Sequence, residues 1–103
     1  MRSVVVSKTG VGQTAVVPVD YLQANFGIGF GVVVDGTITY TVQHTFDNVL
    51  DSTVTPTWFD HDDLAGETAN QDGNYAFPIR GIRINNTAGT GSTTLTVLQG
   101  NPR

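Results

Sequence analysis

Threonine occurs 15 times and valine 14 times in 103 residues, and this surplus of β-branched side chains constrains the fold more than any motif does. Such side chains are stiff at χ1 and crowd a helix, whereas a pleated, half-buried surface suits them. Good helix formers are scarce in turn: Lys8 is the only lysine, Glu67 the only glutamate and Met1 the only methionine. Twelve glycines and four prolines break the chain at short intervals. No stretch places apolar residues at sustained helical spacing. The expected class is all-β: a small antiparallel β-sandwich, jelly-roll-like, with about eight short strands in a single domain over residues 1–103.

Alternation places the strands. Ser3–Ser7 is a short apolar strand ended by a Lys8–Gly12 turn, and Gln13–Val19 is a second, set at an edge because Pro18 cannot donate to a ladder. Phe26–Val34 and Thr37–Phe46 flank Asp35-Gly36, a hairpin-turn pair, so a long central hairpin is expected. In the second of these, Ile38, Tyr40, Val42 and Phe46 share one face and the threonines with Gln43 the other. A short strand is expected at Thr57–Phe59, one helical turn at Leu64–Ala69, and a turn at Asp72-Gly73. Asn74–Phe77 and Ile79–Asn85 follow as strands on either side of Pro78. Asn86–Gly91 reads as a loop and Ser92–Gln99 as a last strand pointing Leu95 and Val97 inward. Short strands at this spacing indicate a sandwich or jelly roll and not a βαβ layout.

Charge and composition remove several function classes. Lys+Arg 5 against Asp+Glu 9 leaves a net charge of -4, a poor match to a phosphate backbone, so no nucleic-acid partner is expected. No apolar run approaches the ~20 residues of a membrane span, so no membrane partner is expected either, and nothing reads as a secretory signal. Without cysteine there are no disulfides, thiolate metal sites or cysteine nucleophiles.

The segment from Asp47 to Asn74 holds seven of the nine acids and no Lys or Arg. Its Asp60-His61-Asp62-Asp63 run is the nearest thing to a metal-binding cluster. Contiguous acids diverge, however, and the spaced ligands of a calcium loop are missing, so a solvated acidic turn after a buried Trp58-Phe59 anchor is the plainer reading. His44, on the apolar face of its strand, reads as a core or rim group, and the four serines lack a nucleophile setting. No catalytic residue, metal ligand or cofactor is therefore assigned, and the expectation is a non-enzymatic protein. A hydrolase would need Asp60, His61 and Asp62 to converge in a pocket.

Two features point to docking. Gly27, Gly29 and Gly31 alternate on one face of a strand whose other face carries Phe26, Ile28, Phe30, Val32 and Val34. A stripe without side chains implies close packing there, either by a residue of the same chain such as Trp58 or by a partner. Arg80 and Arg83 are the interior basic pair, three apart and so directed to opposite faces of a strand. Asn85-Asn86-Thr87 matches a glycosylation acceptor and is read as a chance match. A rival reading is a carbohydrate-binding sandwich, in which Trp58, Phe59, Tyr75 and Phe77 form a platform beside Asp and Asn.

The opening Met1–Ser7, the strand Thr37–Asp47, the Thr57-Trp58-Phe59 unit and the ending Pro78–Gly100 together resemble a family of short virion structural proteins of tailed bacteriophages. The resemblance spans almost the whole chain and rests on structural motifs, not catalytic ones. It implies a capsid decoration or cement protein that binds the major capsid protein or other virion proteins, with a tail or adaptor role as the alternative. It further implies residence in the virion, and the absence of cysteine suits assembly in the reducing host bacterial cytoplasm. Edge strands near Pro18 and Pro78 need covering, so a closed homo-oligomer, either trimer or dimer, is expected.

Overall fold

The computed structural model describes residues 3–22 and 27–99. Nine strands appear in chain order: β1 Val4–Thr9, β2 Gly12–Gln13, β3 Val17–Pro18, β4 Ile28–Asp35, β5 Ile38–Thr45, β6 Phe59–Asp60, β7 Gln71–Tyr75, β8 Gly81–Gly89 and β9 Ser92–Gln99. They form two antiparallel sheets. The first has the order β1-β9-β4-β7; the second has β2-β8-β5-β6, with β3 also pairing β8. The protein is an all-β sandwich.

Alternation decides what lies between the sheets. β4 contributes Ile28, Phe30 and Val32, β5 contributes Ile38, Tyr40 and Val42, β8 contributes Ile82 and Ile84, and β9 contributes Leu95 and Val97, all buried. At about 25 cal/mol per Å² of apolar surface, each large side chain buried here stabilises the fold by roughly 1.5–3 kcal/mol. The final strand matches its expected span, and Pro18 sits on an edge strand bonded on one side to β8.

The expected central hairpin does not form. Asp35 stays in the ladder opposite Ser92 and so is not free to turn, and the chain passes through Gly36 into the other sheet. The result sets the apolar faces of β4 and β5 against each other across the core instead of side by side. Gly36 has φ 84°, a left-handed conformation that favours glycine.

Two further crossings join this one. β1 passes to β2 through Gly10-Val11, and β8 passes to β9 through Thr90-Gly91, so residues 86–89, expected as loop, belong to a strand. The three crossings bond to one another. Thr37 O accepts N–H bonds from Thr90 at 3.1 Å and Gly91 at 2.8 Å, and Gly91 O accepts the Gly10 N–H at 2.8 Å. A Cβ on Gly91 would lie 2.5 Å from the Asp35 carbonyl oxygen, so backbones meet here at a distance that excludes a side chain.

Asn86 is fully buried beneath this corner. Its Nδ2 donates to the carbonyls of Lys8 (3.2 Å) and Gly10 (2.9 Å), and its Oδ1 accepts the Thr93 hydroxyl at 2.9 Å. At the other end of the sandwich, buried Gln99 bonds both backbone groups of Asp20, at 2.9 and 2.8 Å. Two buried amides thus pin the N-terminal segment to both sheets.

The opposite side is closed by residues 59–70. They run along the free edge of β5: His61 N–H donates to Val42 O, Val42 N–H to Leu64 O, and Tyr40 and Glu67 exchange both bonds. Asn70 then caps Val34 N–H on β4 at 2.8 Å. The helical turn expected at Leu64–Ala69 is absent, because those backbone groups are committed to β5 and Leu64 inserts into the core. Asp72-Gly73 is likewise strand and not turn. A Cβ on Gly73 would meet the Phe30 ring at 2.8 Å and Leu64 at 3.2 Å, so this glycine makes room for the core.

Replacing Asn86 with alanine removes the partner of two carbonyls and a buried hydroxyl and is expected to lower the unfolding free energy by about 3 kcal/mol, against about 1 kcal/mol for Thr93→Val. Urea titration of both variants measures this. An Asn86→Ala variant as stable as the parent contradicts the role given to the amide.

Candidate functional site

Chemistry-bearing residues gather at the end of the sandwich opposite the glycine corner. β5 presents His44 as the last inward residue of its row, and β7 presents Tyr75 as its last. Because these strands belong to different sheets, the His44 Nδ1···Tyr75 Oη contact of 2.9 Å ties the sheets together there. Phe46, Phe59 and Phe77 surround the imidazole with ring centroids 5.5–5.9 Å away, Phe59 stacked and the other two edge-on. Each phenylalanine is about half exposed, whereas His44 retains 8% exposure.

These rings form one wall of a groove of about 520 Å³, whose rim carries Asp60, Asp62, Asp63 and Asn74. His61 lies beside Tyr75 and Phe30, edge-on to both. Its Nε2 donates to Asn74 O at 3.1 Å and its Nδ1 accepts the Asp63 N–H at 3.1 Å, so its proton is on Nε2. Both nitrogens therefore serve the backbone, holding the acidic turn against β7. Asp60 accepts a bond from the Gln43 amide at 3.0 Å. Asp60, His61 and Asp62 do share one groove, but the imidazole has no free nitrogen with which to act as a base. Among the described residues no group of three or more His, Asp or Glu side chains is placed to hold a metal ion.

Burial lowers the pKa of His44 below its ordinary value and neighbouring His61 lowers it further, against a weaker opposite pull from Asp62 and Asp60. Burial also pushes the Tyr75 phenol above its usual range, with Asp62 and Asp60 adding to the rise. The phenol keeps its proton.

The buried Trp58-Phe59 anchor is not found. Trp58 is partly buried on the outer face of the second sheet with the Arg83 guanidinium 4.1 Å over its ring, and Phe59 is half exposed in the groove. Leu64 anchors this segment instead. Arg83 also donates to Gln43, and Arg80 lies over the Tyr21 ring at 4.4 Å. Each arginine is therefore occupied within the chain.

The glycine stripe is elsewhere. Gly29 and Gly31 face outward on the first sheet, opposite Leu98 and Thr96 of β9 and Asn74 and Asp72 of β7. A Cβ added to either would have nothing within 4 Å. Trp58 does not cover the stripe, since it belongs to the other sheet's face. Gly27 precedes β4, and Phe26 lies outside the described residues. Gly29, Gly31, Arg80 and Arg83 thus do not form a single surface. Sequence reasoning paired Phe59, Tyr75 and Phe77 correctly but included Trp58, and it missed that Phe46 and His44 complete the ring cluster.

No protein-family model matches the chain, and no curated protein matches it. Among solved structures it is similar to Bacillus endospore appendages, a family of disulfide-linked pili, at 16% identity and a TM-score of 0.48, covering 99% of this chain and 87% of that one. It is also similar to the CBM22-1–GH10 modules of Clostridium thermocellum xylanase 10B complexed with xylohexaose, at 12% identity and a TM-score of 0.49. There 96% of this chain matches 25% of the longer one. At these values neither likeness carries a functional argument.

The lowered pKa of His44 has a defined consequence for stability. Above the ordinary histidine pKa of ~6.5 the ring is neutral in folded and unfolded chains alike. As pH falls below that value the unfolded chain takes up a proton that the folded chain resists, so stability declines towards the lowered folded pKa. Chemical denaturation between about pH 7 and pH 5.5 is expected to show this slope, and His44→Gln is expected to flatten it. An identical slope in both proteins contradicts the assignment.

Proposed function

We propose that the chain is a non-enzymatic structural protein of a phage virion, a decoration or cement subunit seated on the major capsid lattice through the outer face of its first sheet. The observation that carries this reading is the open backbone at Gly29 and Gly31, with no atom of the described chain over either position. Exposed Val5, Val33 and Leu98 surround it on β1, β4 and β9. Glycine inside a strand costs roughly 0.5–1 kcal/mol relative to alanine, and no packing within the described residues offsets that cost. Close approach of another backbone would. The likeness of the sequence to tailed-phage virion proteins supplies the identity of the partner.

A lattice subunit needs no catalytic group. It needs a contact of about 1,000 Å² or more, and many copies turn modest single-site affinity into retention. Self-association fits the same picture: a dimer or trimer covers strand edges such as β1 and β3 that are paired on one side only. In this reading assembly takes place in the host cytoplasm and the mature location is the virion.

Gly29→Val tests the docking face directly. With open space around the new side chain, the fold is expected to persist and to gain a few tenths to ~1 kcal/mol, because valine suits a pleated strand. Binding to particles lacking the protein is expected to be lost, since an isopropyl group holds the two backbones apart. Thermal melting and particle co-sedimentation of one variant decide it: a variant that still decorates particles normally overturns the proposal. Sedimentation of the free protein is expected to show a dimer or trimer, and a lone 11.0 kDa species counts against closed self-association.

A further inference from the structure

The groove at the opposite end of the sandwich is not used by a docking face on the first sheet, and its chemistry is of another kind. It combines apolar ring surface with hydrogen-bonding groups. Phe59 and Phe77 leave about half their surface open. The carboxylates of Asp62 and Asp63 lie on exposed residues at the rim and accept hydrogen bonds.

The floor adds a polar atom. His44 Nδ1 and the Tyr75 hydroxyl share one hydrogen bond of 2.9 Å, whose direction follows the imidazole tautomer. The other ring nitrogen, Nε2, makes no hydrogen bond to any described residue in either tautomer, although His44 is more than nine-tenths buried and lines the groove. A buried polar atom without a partner is costly, roughly 1–3 kcal/mol, unless a bound group satisfies it.

We infer that this groove binds a neutral carbohydrate, with one sugar ring lying against Phe59 and Phe77, hydroxyls donating to Asp62 and Asp63, and a further hydroxyl bonded to His44 Nε2. A sugar presents C–H faces to the rings, and its hydroxyls both donate and accept, so they satisfy the carboxylates and Nε2 in either tautomer. An anionic sugar is opposed by the carboxylate rim, which has no lysine or arginine among its lining residues. A volume of about 520 Å³ lies within the ~300–1,000 Å³ common for small-ligand sites, larger than one guanidinium needs.

The test is NMR titration of the full chain with cellohexaose, maltohexaose and N-acetylchitohexaose, each to roughly 10 mM, a range that reaches the weak binding expected of a shallow groove. Trigalacturonate and tetra-arginine serve as the anionic and cationic probes. At least one neutral oligosaccharide is expected to shift the ring signals of Phe59, Phe77 and His44. Phe59→Ala and Phe77→Ala, at half-exposed positions, are expected to weaken that binding about tenfold, while unchanged side-chain amide signals of Asn86, buried at the far corner, report an intact fold. The inference is overturned if no neutral oligosaccharide shifts these signals, if binding survives both substitutions, or if trigalacturonate or tetra-arginine binds more tightly than every neutral probe. Because a Cβ at Gly29 meets nothing within 4 Å, and so touches none of His44, Phe59 and Phe77, the glycan result and the particle-binding result fail independently.

Discussion

The carboxamide of Asn86 sits where three lengths of chain pass from one sheet to the other, and it supplies hydrogen bonds that the ladders cannot. At such a corner the backbones turn away from their strand partners, leaving half-buried carbonyls that need partners from elsewhere. Asn86 offers two donors and one acceptor, and Lys8 O, Gly10 O and the Thr93 hydroxyl take up all three. The register of β1 against β9 and of β5 against β8 is set on either side of this point. A β-bulge at Thr87, where Thr39 faces Ala88 but Tyr40 faces Asn86, lets β8 bring the amide under the corner. Tight backbone contact and a buried amide are two parts of the same solution.

The two ends of the sandwich solve closure differently. The glycine corner is made of backbone, with distances too short for side chains. The far end is made of side chains: the Gln99 amide imitates a strand partner for Asp20, and the His44–Tyr75 contact joins the sheets. An end closed by side chains can leave a recess between them, as an end closed by packed backbone cannot. The candidate ligand groove therefore lies at the His44 end, while the outer face of the first sheet stays open at Gly29 and Gly31.

Alternation made the all-β class, the sandwich and most of the core legible. Ile28, Phe30 and Val32, and likewise Leu95 and Val97, declare their inward face by period two alone. The central hairpin failed because Asp35-Gly36 satisfies the local chemistry of a turn without saying which sheet the next strand joins. That choice depended on Ser92, Thr90 and Gly91, distant in sequence, taking up the backbone of Asp35 and Thr37 on either side of the glycine. The Asp72-Gly73 turn failed for a related reason, since a glycine needed for space looks the same in sequence as one needed for conformation. A usable signal was overlooked. The inward rows of β5, β8 and β9 each include a polar residue, His44, Asn86 and Gln99 respectively, where an apolar one would continue the pattern, and each forms a link between sheets or segments. The ring cluster drew Phe46, Phe59 and Phe77 from three separate stretches, and no spacing rule joins those.

The excursion between β5 and β6 is tied off by its own side chains. Asp47 Oδ2 accepts the Thr57 N–H at 2.7 Å, closing the base, while Asn48 caps Leu50 and Asp51 caps Thr53 within it. Residues 50–55 are exposed and contribute nothing to the core. Loop-closure entropy rises only slowly with length, by about 0.6 kcal/mol per doubling. Foreign sequence spliced between Asp51 and Thr55 would therefore leave both sheets, the glycine corner and the groove undisturbed. That loop is a natural place to carry an inserted peptide.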